Sequence, residues 1–178
     1  MLRYLEGIKL PPAGAMIAGS VYHKALEFGY KVKLSTSNEP SVDLTKEVAS
    51  QAWTDKLNEE SEIDWGGNPG AIKDMAVALV EKYVTEQMPL ITPAKVEDRD
   101  TVIVKNVEFM RVKDLVTTEG LTIDHKLSNK AYNEANKGSD LQSLAYLYPN
   151  GGKFFYHVAV KTKVPKIQVV DFSRTQDE

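Results

Sequence analysis

The apolar periodicity of this chain changes near Pro93, and that change limits the folds that the chain can adopt. Before Pro93 the apolar residues recur at helical spacing, whereas after it they alternate as in strands, with one short helical segment among them. A chain of 178 residues and 19.8 kDa suits one domain. We therefore predict an α/β (α+β) fold in a single domain over residues 1–178, with a mixed central β-sheet flanked by helices.

Capping and turn residues place the individual elements. Asn68 followed by Pro69 predicts a helix start, and Gly29 is expected to end the first helix. The expected order is a loop over Gly7–Gly14, helices over Ala15–Phe28, after Ser41 and from Asn68 to before Pro89, strands over 102–104, 107–116 and 121–127, a helix over Ser139–Tyr148, and strands over 153–160 and 167–172.

The composition excludes several classes of site. The chain has no Cys, which rules out a disulfide scaffold, a cysteine zinc site, an iron-sulfur cluster and a thiol nucleophile. No apolar run approaches the roughly 20 residues that cross a bilayer, and the first residues lack a secretory signal. We therefore expect a cytoplasmic protein with no membrane contact. The net charge of −3 does not by itself identify a partner.

Two acidic residues and a lysine meet at the predicted hairpin. Side chains two apart on a strand share a face, so Asp124 and Lys126 project together. With a four-residue turn over 117–120, Asp114 lies opposite Ile123 and within one step of Asp124. Two carboxylates that close repel each other unless a cation lies between them, which favours a hard divalent ion. The alternatives are a surface ion pair and a carboxylate that points to solvent.

Two pairs of polar residues lie one helical turn apart. His23 and Glu27 share one face of the first helix, and Gln142 and Tyr146 share one face of the helix after the hairpin. An isolated histidine on such a helix is commonly a half-buried structural residue, and a Gln–Tyr pair can be an ordinary polar edge. The two neighbouring carboxylates predicted at the hairpin favour the interpretation of His23 as a metal ligand.

In this order, the motifs resemble the RecB-type branch of the PD-(D/E)XK nuclease superfamily, which includes phage and bacterial exonucleases. The resemblance runs from about Gly19 to Tyr146. It is based on a helix with His, an Asp on one core strand, an Asp-x-Lys on the next strand and a Gln-x-x-x-Tyr helix. In this chain the residues are His23, Asp114, Asp124 with Lys126, and Gln142 with Tyr146. The resemblance implies a restriction-endonuclease-like core.

The resemblance also implies a function and the roles of the site residues. Asp114 and Asp124 would bind Mg²⁺ or Mn²⁺, with His23 and the backbone carbonyl of His125 as further ligands, and Lys126 would orient the attacking water. Gln142 and Tyr146 would hold the DNA backbone or support the lysine. Glu27 would either support the metal ligands or bind a second metal. The expected activity is metal-dependent hydrolysis of DNA, as an exonuclease in recombination, replication or repair.

The implied partners and location follow from that activity. DNA is expected to be held through its phosphates with little sequence specificity. The candidate basic residues are Lys130, Lys137, Lys153, Lys161, Lys163 and Lys166, and the alternative is that most of them only solvate an edge strand and loops. A recombination or replication protein is a further expected partner, in the cytoplasm of a bacterium or of a phage-infected host cell.

Some positions depart from the family pattern. Arg111 stands where a Gly is common, Leu127 where a Thr is common, and a segment that often precedes the opening loop is expected to be missing. Two alternatives therefore remain open. One is a catalytically inactive nuclease-like domain that binds DNA or a protein partner, and the other is an unrelated α/β domain in which Asp-x-Lys is accidental.

Overall fold

The fold was analysed in a computed structural model that describes residues 10–133, 135 and 140–175. Residues 7–9 of the predicted opening loop, Lys137 and the expected helix start at Ser139 lie outside the described residues. In chain order the elements are α1 (Gly14–Thr36), α2 (Val42–Glu59), α3 (Pro69–Glu86), a 3₁₀ turn (Met88–Leu90), β1 (Pro93–Val104), β2 (Val107–Thr117), β3 (Thr122–Ser128), α4 (Leu141–Leu147), β4 (Phe154–Val160) and β5 (Lys166–Asp171).

The strands of the described residues form one five-stranded mixed sheet in the order β1-β2-β3-β4-β5. Neighbouring strands are antiparallel except β3 and β4, which are parallel. The β3–β4 connection contains α4, as parallel pairing requires a crossover. The predicted mixed sheet flanked by helices is therefore confirmed.

The sheet separates two apolar clusters. The larger one joins α1, α2 and α3 to sheet residues such as Leu115, Ile123 and Ala159. The smaller one, on the other face, contains Phe154, Tyr156 and Leu147, the last from α4. Alternation along a strand explains this division, because consecutive side chains of β3 and β4 point to opposite faces. In the part of the chain that the structure describes, no helix is long and apolar enough to span a membrane.

The prediction that Gly29 ends the first helix is wrong. α1 continues to Thr36, and Ser37 ends it with a left-handed φ of 59°. Gly29 serves packing instead, because a Cβ at this position would lie 2.9 Å from Cε of Met88. The helix starts at Ser41 and Asn68 are confirmed, since each side chain accepts a hydrogen bond from its own first turn.

The predicted hairpin register is wrong by one residue. Leu115, and not Asp114, lies opposite Ile123. The reason is the turn: Thr117 N donates to Leu121 O at 2.9 Å, so that only three residues form the loop, and Gly120 adopts φ 78°. Three-residue hairpin loops commonly use such a left-handed residue. The shift brings Asp114 level with Asp124, closer than expected.

Candidate active site

β3 presents the Asp-x-Lys pair to one face of the sheet. Lys126 Nζ lies 2.7 Å from Oδ2 of Asp124, and the Asp124 residue is only 1% exposed. That oxygen has this ionic contact but no directed hydrogen bond. Lys126 also lies 5.5 Å from the ring centroid of Tyr156, on the same face. The predicted sharing of a face by Asp124 and Lys126 is confirmed.

Asp114 lies where β2 and β3 separate. The ladder between the two strands has only two pairs, and beyond Leu115 the backbone of β3 bonds to a side chain instead. His125 N donates to Oδ2 of Asp114 at 2.7 Å. The same oxygen is 3.3 Å from Nδ1 of His23 and 3.5 Å from Nδ1 of His125. α1 and the hairpin therefore bring His23 to Asp114, although the residues are 91 positions apart in the sequence.

α4 brings the Gln–Tyr pair to the same cluster. Gln142 Nε2 donates to Oδ1 of Asp124 at 2.5 Å and to the Tyr146 hydroxyl at 3.2 Å. The Tyr146 hydroxyl donates to the backbone carbonyl of Val112 at 2.6 Å. Asp140 caps α4 by accepting from Ser143 N. Both oxygens of Asp124 thus have a protein partner, Lys126 on one and Gln142 on the other.

Glu27 does not join this cluster. Its two carboxylate oxygens pair with Lys24 at 3.1 Å and with Lys31 at 2.5 Å on the same helix. The side chains of both lysines are more than half exposed. Of the residues suggested by the sequence, Glu27 is therefore the one that the structure leaves with other partners.

Glu97 is a nearby acidic residue that the sequence analysis missed. It lies between the pairs Val96–Leu115 and Asp98–Lys113 of the first hairpin, and so opposite Asp114. Its φ of 53° is unusual for a residue with a side chain. Burial raises its pKa, and the charges of Asp114 and Glu27 raise it further. No spacing pattern marks Glu97, because its position depends on the β1–β2 register.

A buried polar network, which no sequence pattern indicates, lies behind the strand. His125 points to the opposite face from Asp124, and its Nε2 lies 2.9 Å from the hydroxyl of Tyr83. That hydroxyl is also 2.8 Å from Nδ1 of His157 and 3.0 Å from the hydroxyl of Tyr30. A hydroxyl donates one hydrogen bond and accepts two, so Tyr83 can match all three partners. The network contacts Asp114 through His125.

The two carboxylates of the cluster have opposite pKa shifts. Burial, together with the charge of Asp114, raises the pKa of Asp124 to about 6. Burial also raises the pKa of Asp114, but hydrogen bonds from His125 and His23 outweigh it and hold that pKa well below its usual range. One carboxylate is thus charged throughout the neutral range, whereas the other titrates close to it.

The pKa shifts of the basic groups depend on whether a carboxylate lies next to them. Burial lowers the pKa of His23, but its contact with Asp114 outweighs that effect and raises the pKa overall. The same balance raises the pKa of Lys126, where the charge of Asp124 outweighs burial. In the network behind the strand burial prevails: it lowers the pKa of His125, and it lowers the pKa of His157 to about 3. Both shifts favour the neutral form of the imidazole.

The donor set fits a hard divalent cation in its chemistry. Two carboxylates, an imidazole and a strand carbonyl are suitable ligands, and Oδ2 of Asp124 is a buried oxygen with no directed hydrogen bond. The arrangement itself is closed, because Lys126 holds that oxygen. Among the described residues, no three His, Asp or Glu side chains are grouped as they would be around a metal.

Comparison with known proteins identifies the class. The family model of the PD-(D/E)XK nuclease superfamily matches residues 1–161, which include all five strands except β5 and the residues of the cluster. The chain therefore belongs to the PD-(D/E)XK nuclease superfamily, whose members typically use divalent metal ions. Among curated proteins none gives a significant match.

A solved structure supports the same fold. The chain is similar to a crystal structure of a candidate exonuclease from Eubacterium rectale, with a TM-score of 0.63 and 12% sequence identity. The match covers 95% of this chain but 63% of the other, so this chain spans less than two thirds of that protein. At this identity the likeness concerns the fold alone.

Proposed function

We propose that this chain is a divalent-metal-dependent deoxyribonuclease, an exonuclease of the phage and RecB type. The observation that carries the proposal is the meeting of two carboxylates, an imidazole and an amine from α1, β2 and β3: Asp114, Asp124, His23 and Lys126. Membership of the nuclease superfamily supports hydrolysis of phosphodiester bonds as the reaction.

The roles of the residues follow from their charges and contacts. Asp114 and Asp124 hold Mg²⁺ or Mn²⁺, together with His23 and the backbone carbonyl of His125. When bound, the cation supplies Lewis-acid polarisation of the phosphate and a more acidic water. Lys126 remains protonated at neutral pH because its pKa is raised, so it orients the water and offsets negative charge and does not accept a proton.

α4 contributes the supporting groups. Gln142 donates to Asp124 and thereby keeps one carboxylate oxygen in a fixed direction. Tyr146 links Gln142 to the backbone of β2 at Val112. These contacts keep Asp124 oriented while Lys126 acts on the phosphate.

The proposed substrate is DNA, which the protein holds through phosphates. Lysines are exposed on the C-terminal part of the chain, at Lys130, Lys153, Lys163 and Lys166, and Lys161 is partly exposed. Such contacts weaken as salt rises and carry little base specificity. We place the activity in the cytoplasm of a bacterium or phage-infected cell, in recombination, replication or repair, with a protein of those processes as a partner.

Cleavage of linear duplex DNA in Mg²⁺, Mn²⁺ or chelator tests the proposal. The parent is expected to cleave only with metal, and Asp124→Ala and Lys126→Ala are expected to lose cleavage while keeping the circular dichroism of the fold. Lys56→Ala is the matched control, because Lys56 pairs with Glu59 on α2 at the surface. An Asp124→Ala protein with activity within a few fold of the parent would refute the proposal.

A second candidate is a nuclease-like domain that binds DNA or a protein without cleaving. It is favoured by the closed arrangement of Asp124, in which Lys126 and Gln142 hold both carboxylate oxygens. This candidate predicts a salt-sensitive gel shift of DNA with no metal-dependent product. The same cleavage assay separates the two candidates.

A further inference from the structure

Arg111 on β2 makes contacts that the roles above do not use. Its Nε and Nη2 pair with the two carboxylate oxygens of Asp100 on β1, at 2.7 and 2.5 Å. Lys113 contacts the same carboxylate at 3.1 Å. The Arg111 side chain is only 11% exposed. A guanidinium with two bonds to one carboxylate has a fixed plane, so its remaining nitrogen points in a defined direction.

That remaining nitrogen points at the end of α4. Arg111 Nη1 lies 3.1 Å from the carbonyl oxygens of Ala145 and Tyr146, and 2.7 Å from that of Tyr148. The last carbonyls of a helix have no partner within the helix and form its negative end, where a cation is favourable. Arg111 therefore satisfies the C-terminal end of α4 from the adjacent strand.

α4 is short, so contacts at its ends determine where it lies. It has seven residues, and helices of that length are not stable by themselves. Asp140 caps its first turn, and Arg111 binds its last carbonyls. Between these two ends the helix carries Gln142, whose amide reaches Asp124.

We infer that Arg111, held by Asp100, is a positioning residue that fixes α4 on β2 so that Gln142 meets Asp124. The inference rests on the proposed function only for its effect on cleavage, since the fixing of α4 can be measured without it.

A double-mutant cycle on cleavage tests the inference. Arg111→Ala is expected to lower kcat by about 10- to 100-fold with KM within about threefold, because small displacements of supporting groups cost that much. In the Gln142→Ala background the same change is expected to cost less than about threefold, since Arg111 acts through that residue. Arg111→Lys keeps the charge but not the forked geometry, and it is expected to stay well below the parent.

Amide hydrogen exchange of residues 141–148 gives a second measurement that does not depend on activity. Arg111→Ala, and Asp100→Asn as the milder variant, are expected to speed exchange in that segment and to leave β3 and β4 unchanged. Lys95→Ala is the matched control, because Lys95 pairs with Asp98 in the same hairpin.

Three results would overturn the inference. They are an equal loss of kcat in both backgrounds, a KM effect that Arg111→Lys restores, and unchanged exchange in residues 141–148. The first would show an independent role, and the second a phosphate contact. If the parent cleaves no DNA, the proposed function fails, and the exchange measurement alone decides whether Arg111 fixes α4. Should Arg111→Ala fail to fold, Arg111→Lys and Asp100→Asn supply the same comparisons.

Discussion

The two faces of β3 hold polar groups in different ways. On the face toward α4, Asp124 meets an ammonium and an amide in a cluster where one carboxylate titrates near pH 6. On the face toward the long helices, His125 lies in a buried network of neutral groups around Tyr83. Asp114 is linked to both regions, because its charge raises the pKa of Asp124 and its carboxylate accepts a hydrogen bond from the backbone of His125. The first region contains an ion pair between charged side chains, and the second consists of hydrogen bonds among buried aromatic and imidazole groups.

The largest expected effect separates activity from stability on the α4 side. Lys126→Ala is expected to lower kcat by about 10²- to 10³-fold, because it removes a positive charge placed at the reacting phosphate. The fold should be kept, and the free energy of unfolding should fall by about 1–3 kcal/mol, because the buried Oδ2 of Asp124 loses its ionic partner. Kinetics on linear DNA and urea unfolding measure the two quantities. A large loss of stability with unchanged kcat would show that Lys126 stabilises the fold and does not act in cleavage.

The next effect concerns the face of β3 toward the long helices, where a substitution should lower the free energy of unfolding. Tyr83→Phe leaves His125 and His157 without their shared partner in a buried site, at a cost of about 1–3 kcal/mol in the free energy of unfolding. Urea unfolding measures it, with the half-exposed Tyr148→Phe as control. If Tyr83→Phe is as stable as the parent, the network does not stabilise the fold.

The pH dependence of cleavage should report the proposed metal ligands. Asp124 must be ionised and His23 neutral to bind a cation, and the pKa of Asp124 is raised to about 6 while that of His23 is also raised. The rate at low Mn²⁺ should therefore fall by at least about tenfold per unit below pH 6. Raising Mn²⁺ should move the midpoint to lower pH, because the cation competes with the proton. The neutral His157, with a pKa near 3, should not contribute. Rates that are constant between pH 5 and 8 would contradict this assignment.

The smallest expected effect is on stability: replacing Asp124 and replacing Asp114 should change the free energy of unfolding in opposite directions. The raised pKa of Asp124 means that its charged form is unfavourable in the folded state, and this penalty is fully present above about pH 6. Asp124→Asn should therefore stabilise the metal-free protein at pH 8, by about 1 kcal/mol. Asp114 has a lowered pKa, so its stabilisation is present above its unfolded pKa and lost as pH falls. Asp114→Asn should therefore destabilise the protein at pH 8.

Thermal unfolding at pH 8 in chelator measures both changes. Lys56→Ala serves again as the surface control. Shifts of the unfolding temperature with the same sign in both variants would contradict the opposite pKa shifts of Asp124 and Asp114.

Local signals predicted most of the fold. The caps at Ser41 and Asn68 and the change of period near Pro93 were sufficient to place helices and strands, because each depends on neighbouring residues. The helix end predicted at Gly29 was wrong, because the glycine at this position makes room for Met88, which lies 59 residues later in the sequence. The hairpin register failed because one residue more or less in the turn changes the pairing without changing the pattern of apolar residues.

Regular spacing made two pairs of the site predictable, and the family resemblance added His23 and Asp114, which the structure brings together. Asp124 and Lys126 lie two apart on a strand, and Gln142 and Tyr146 lie four apart on a helix, so the sequence placed each pair on one face. Glu97, Tyr83 and Arg111 reach the site through strand register and helix packing. Such long-range contacts leave no local pattern in one sequence.

A crystal structure of the protein soaked in Mn²⁺, with anomalous scattering used to locate the ion, tests the proposed cation site. We expect one peak between the carboxylates of Asp114 and Asp124, close to the imidazole of His23, with Lys126 displaced from Oδ2 of Asp124. A structure without a peak there, in which Lys126 keeps its ion pair at saturating Mn²⁺, would rule out this cation site.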